Sequence, residues 1–235
     1  MHANSLLSAT TRIGTGLSFV VFPIVFVFAF SVHPGLLNPH VLSPSELIQR
    51  AHHAALLQFA HALVTLDTAL LVVVALHFMK ILDHTSGAWW GFLGGALAVL
   101  GSLALAADKG ALCLTMSALD ELTDAEFESM LPGLLAMFSK HGWLVLLWGI
   151  LLLPAGFGIQ AIALFRTKSL PRWQCLLLLV GVLLIAMPDG VEIVNLTASV
   201  LLAVGFVPYG IQLIGSERVP RVHGEASARV ASRHA

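Results

Sequence analysis

Asp67, near the middle of the apolar run 54–79, is the residue of this sequence best placed to do chemistry. A charge at the centre of a membrane helix costs about 2.5–3.5 kcal/mol on insertion scales, so such a carboxyl must bond a neighbouring helix or hold a proton or cation. Gln58, His61, Thr65 and Thr68 share that run at spacings of 3, 4 and 3, which puts them on one helical face. A stripe of this kind either lines a polar cavity or packs in a bundle with its hydroxyls bonded to carbonyls of their own helix.

A second polar group gathers at the ends of other apolar runs. Asp108-Lys109 closes 88–108, His141 opens 142–165, and Pro188-Asp189-Gly190 turns between 173–188 and 191–214. Glu192, Asn195 and Ser199 then follow at i, i+3 and i+7, again on one face. The run 173–188 is about 16 apolar residues, roughly 24 Å of helix, so the Asp189 turn is expected below the lipid surface. These residue types suit a cation or small polar molecule. Asp67 would be the midplane site, Asp189 and Glu192 the acidic wall, Lys109 the counter-ion, and Gln58, His61 and Asn195 the hydrogen-bonding lining. A second assignment gives His141 and Glu192 acid–base roles on a lipidic substrate, and a third makes the polar residues structural in an accessory subunit. No nucleophile elbow or phosphate-binding loop is present.

The chain has 11 histidines, with His33, His40, His52, His53, His61 and His141 near one predicted face. None pairs in a helical ligand motif such as His-x-x-x-His, and the adjacent His52 and His53 would point about 100° apart on a helix. His61 and His141 remain as one ligand each from two facing helices, but no metal or cofactor is expected.

The elements that hold these residues follow from composition. Of 235 residues, 57% are hydrophobic and 11% charged, against about 25% in soluble domains, and the mean hydropathy is +0.89. A soluble globular domain and a disordered chain are excluded, and with a net charge of −1 and two cysteines so are a nucleic-acid binder and a disulfide-stapled module. Six runs, 13–33, 54–79, 88–108, 142–165, 173–188 and 191–214, are long enough or nearly so to cross a hydrocarbon core of roughly 30 Å as helices. The first exceeds the roughly 7–15 apolar residues of a signal peptide and is taken as a span.

Nine basic residues (Arg12, Lys80, Arg166, Lys168, Arg172, Arg218, Arg221, Arg229, Arg233) fall on the side of the N-terminus and three (Arg50, Lys109, Lys140) on the other, which predicts both termini cytoplasmic. Cys113 and Cys175 then lie on opposite sides and cannot pair. Ser43-Pro44-Ser45-Glu46 and Thr123-Asp124-Ala125-Glu126 are capping boxes. The second opens an amphipathic helix, 124–138, expected on the outer membrane surface, with Phe127, Leu131, Leu134 and Phe138 on one face. Trp89 and Trp90 read as interfacial anchors, and Gly91-x-x-x-Gly95 as a point of close helix approach. Pro23 and Pro154 stand near the middles of spans one and four, as interruptions of inverted repeats would.

Leu122-Thr123-Asp124-Ala125-Glu126, Phe138-Ser139-Lys140-His141-Gly142, Leu153-Pro154-Ala155-Gly156 and Ser169-Leu170-Pro171-Arg172, with Thr11-Arg12-Ile13-Gly14 ahead of the first span, form a layout over most of 10–214. It resembles the bacterial domain-of-unknown-function family 4386. The resemblance implies a six-span bacterial membrane protein and brings no activity or site residue with it.

The expectation is therefore an all-α polytopic bundle of six transmembrane helices, 1–214, with an outer amphipathic surface helix and a polar, disordered cytoplasmic tail, 215–235. It would sit in a bacterial cytoplasmic membrane and bind or transport a small molecule or cation through an outward-facing polar pocket. Its partners would be the lipid bilayer, a small molecule or cation, and another copy or membrane subunit; nucleic acid is not among them.

Overall fold

A computed structural model of the chain describes residues 2–33, 35–37, 42–137, 151–186 and 191–216, and these are helical with no strands. The helices are α1 (His2–Ser31), α2 (Pro44–Ala51), α3 (Ala55–Leu82), α4 (Ala88–Leu119), α5 (Asp124–Met137), α6 (Leu152–Thr167), α7 (Arg172–Ile185) and α8 (Glu192–Gly215). Four of them, Leu6–Ser31 within α1 and the whole of α3, α4 and α8, are long and apolar enough to cross a membrane; α6 and α7 are shorter apolar helices. The first part of the expected fourth span, 142–150, and the tail beyond 216 lie outside the described residues. With 14 residues α7 spans about 21 Å, less than a hydrocarbon core.

Neighbours pack in the order α1, α3, α4, α6, α7, α8 and back to α1, closing a ring that α3 also crosses to touch α6. Small residues set the spacing. A Cβ on Gly94 would lie 2.7 Å from the Gly156 carbonyl, and one on Gly210 2.6 Å from the Gly16 carbonyl, so α4–α6 and α8–α1 meet backbone to backbone. Gly91 and Gly95 work within the chain too, against Leu82 and Met79 of α3. Arg12 closes the ring at one end, its guanidinium donating to the carbonyls of Leu213, Ile214 and Ser216 at the C-terminus of α8, where a cation also meets the helix dipole.

Large apolar side chains face outward, among them Leu66, Leu103, Leu183 and Ile211, while the buried interior is divided by depth. Phe19, Phe78 and Phe206 interlock in its N-terminal-side half, at centroid separations of 5.4 and 5.9 Å. His77 shares a 2.8 Å hydrogen bond with Tyr209 beside them. Exposed Trp89, Trp90 and Trp173 ring that same end, near Lys80 and Arg172.

Two expectations change. α5 keeps its capping box, with Thr123 donating from its backbone to Glu126 at 2.9 Å, but its apolar face is covered by protein. Phe127 and Leu134 are buried against Ile48, Ala51 and Leu57 and against Met116 and Leu119, because α4 runs on to Leu119 and offers them an apolar wall. Pro23 leaves α1 continuous, and Pro154 is the third residue of the described α6, the residues before 151 lying outside the described ones.

Candidate functional site

Three helices send one seam each into the interior. On α1 it runs Phe19, Phe22, Phe26, Ala29 and continues to His33; on α3, Ala60, Val64, Asp67, Leu71, Val74, Phe78; on α8, Glu192, Asn195, Ser199, Leu202, Phe206. Each steps by 3 and 4, so each keeps facing the axis of the bundle; the α1 and α8 seams turn polar toward the same end, where α3 adds Asp67 within its seam and His61 beside it. There His33 Nδ1 lies 3.4 Å from Glu192 Oε1, the His61 ring centroid is 6.3 Å from that of His33, and Asn195 donates to the other Glu192 oxygen at 3.5 Å. Glu192 is 3% exposed, and Asn195 and His61 are also buried.

Deeper on α3, Asp67 is 3% exposed, and neither carboxylate oxygen has a hydrogen-bond partner among the described residues. One turn further in, Leu71 and Val74 join Phe22, Phe26, Phe157 and Leu202 around a cavity of about 30 Å³ whose whole lining is apolar. A water there would find no partner. The polar zone thus ends at Asp67, above an apolar plug.

Of the expected site residues, Glu192, Asn195 and His61 come together, with Asp67 beneath. Gln58 does not line this zone. Its amide nitrogen donates to Asp120 at 2.6 Å and its amide oxygen accepts from Ser117 at 2.9 Å, which ties the start of α3 to the end of α4. Lys109 Nζ lies 3.2 Å from the carboxylate of Asp108, its neighbour in sequence. His141 and Asp189 lie outside the described residues. Thr65, Thr68 and Ser199 bond carbonyls of their own helices.

Three groups have contacts that the sequence reading does not give them. His33 belongs to the site, and the 3–4 spacing from Phe19 onward was the signal that it shares the seam. Gln160 donates across to Ala75 at 3.0 Å and Gly91 at 3.3 Å, and Gln174 to Gly205 at 3.0 Å, so each glues helices together as a lone buried amide in an apolar run. His52 and His53 are not on a helix. His53 has a φ of 57°, and the bend brings the two rings to 3.9 Å.

In comparisons with family models, with curated proteins and with solved structures, nothing matches this chain.

Proposed function

We propose that the chain is a six-span protein of a bacterial cytoplasmic membrane, with both termini cytoplasmic, that binds a proton or small cation from the outer face. α6, extended by residues before 152, and α7 would be the two further spans, as in family 4386. The observation that carries the reading is Asp67, a buried carboxyl with no partner among the described residues, below Glu192 and Asn195. An unpaired acid in a membrane interior is stable when it holds a proton or a cation. The Glu192 cluster supplies negative charge above it, and His33 and His61 supply groups that give and take protons. The apolar plug separates this zone from the side that carries Arg12, Lys80 and Arg172, so passage across the membrane would require the seams of α1, α3 and α8 to part.

The test is flux in proteoliposomes loaded with a pH-sensitive dye and given a sodium or proton gradient. Wild-type protein is expected to collapse the gradient faster than protein-free vesicles, and Asp67→Asn and Glu192→Gln to slow it at least tenfold. Unchanged flux in both variants removes these residues from the mechanism. The second reading, an accessory subunit, draws on the hydroxyls of Thr65, Thr68 and Ser199, which bond only within their own helices among the hydrogen bonds described. No flux above protein-free vesicles, with a copurifying foreign subunit, would favour it.

A further inference from the structure

Away from the interior, the α2–α3 turn and the first residue of α5 bring together three donors of metal-ligating type. We infer that His52, His53 and Asp124 form a surface site for a divalent transition-metal ion of the zinc class. One donor atom of each lies within 4.8 Å of the other two.

The surroundings orient both imidazoles as ligands. His52 lies flat on Phe127, with centroids 3.8 Å apart and planes 5° from parallel, and its Nε2 is 3.4 Å from the Leu119 carbonyl. A carbonyl only accepts, so Nε2 carries the hydrogen and Nδ1 is left with the lone pair. His53 presents Nε2 to Asp124 at 3.9 Å and Nδ1 to Asp120 at 3.8 Å. A ring with one nitrogen toward the ligand set and the other toward a carboxylate or carbonyl is the usual outer support of a metal-bound histidine. The left-handed backbone at His53 is secured by its own N–H, which donates to Asp120 at 2.8 Å. Without that bend the adjacent side chains would diverge.

Zinc bonds of about 2.0–2.1 Å put tetrahedral donors roughly 3.3 Å apart, so the His53–Asp124 pair at 3.9 Å, within a set that spans no more than 4.8 Å, has to close by about 0.6 Å. His53 and Asp124 are exposed, which leaves room for water in the fourth position and for entry of the ion. Two imidazoles and one carboxylate favour a borderline ion over magnesium or calcium, which take oxygen ligands. A bound ion would clamp α5 to the start of α3.

The experiment is titration of the tag-free full chain in detergent with zinc chloride, followed by calorimetry and by hydrogen exchange of α5. Saturable binding is expected, with slower exchange at 124–127. His53→Asn keeps a residue tolerant of left-handed backbone, and Asp124→Asn keeps the shape of the side chain; each should weaken binding at least tenfold. His84→Asn, on an exposed histidine in the α3–α4 turn, should leave it unchanged. Zinc affinity equal in wild type, His53→Asn and Asp124→Asn, or the absence of saturable binding, overturns the assignment.

Discussion

His33 and Glu192 meet at 3.4 Å, joining the second residue after α1 to the first residue of α8. Both side chains are largely shielded, at 16% and 4% exposure, so the contact acts where water screens little. A double-mutant cycle with His33→Ala and Glu192→Gln should show a coupling of about 0.5–2 kcal/mol, read from unfolding in mixed micelles. Strict additivity would mean that the two side chains are neighbours without interacting.

At Asp67 function and stability are expected to pull in opposite directions. Leucine at this position removes a buried polar group with no described partner and continues the seam of Val64 and Leu71. Asp67→Leu should therefore raise stability by about 1–3 kcal/mol while abolishing cation flux. A destabilised variant would show that the carboxyl is satisfied in the folded state.

Gln160 is fully buried and bonds two helices at once. Gln160→Met keeps its length and loses both bonds, at an expected cost of about 0.6–1.7 kcal/mol in micelle unfolding. Gly156→Val should be far worse, because the Gly94 carbonyl occupies the space at 2.6 Å from where the new Cβ would stand.

Acid should loosen α2 and α5 before the rest. The Ser43 and Thr123 backbone N–H groups, with their hydroxyls, hold Glu46 and Glu126 below the ordinary value of 4.5. A folded value below the unfolded one gives stabilisation that is complete above the unfolded value and vanishes as pH falls through the folded one. Amide exchange at 124–127, corrected for intrinsic rates, should accelerate below about pH 4, near the unfolded value. Glu126→Gln should remove most of that pH dependence.

The membrane orientation can be read with impermeant maleimides in a background where Cys113 and Cys175 are alanine. Ser129→Cys, on exposed α5, should label in intact cells, and His84→Cys, in the turn between α3 and α4, only after permeabilisation. The reverse pattern would invert the topology.

What could be read from the sequence was whatever depends on near neighbours along the chain. Ser43–Glu46 and Thr123–Glu126 are capping boxes in both, and α3 and α8 begin within a residue of their expected starts. Periodicity identified the faces of Glu192, Asn195 and His61 but not what those faces meet. Gln58 shares a stripe with His61, yet its partner Asp120 sits at the end of an α4 that runs past its apolar core, beyond the reach of a hydropathy window. At His52 and His53 helical geometry is the default because histidine, unlike glycine, does not announce a positive φ; the Asp120 acceptor makes that bend favourable. α5 reads as amphipathic either way, since composition does not distinguish a lipid surface from a protein one.

The bond from Arg12 to Leu213 spans 201 positions, whereas α3 with α4, α6 with α7 and α7 with α8 are consecutive partners. During synthesis those hairpins can form as they emerge, but α1 must wait with its α8-facing surface uncovered until α8 is made. Contacts of such separation are the slow ones in folding. The His33–Glu192 junction lies on that final seam. The polar cluster is therefore completed only when α8 has been made, and a product that stops short of α8 would lack it.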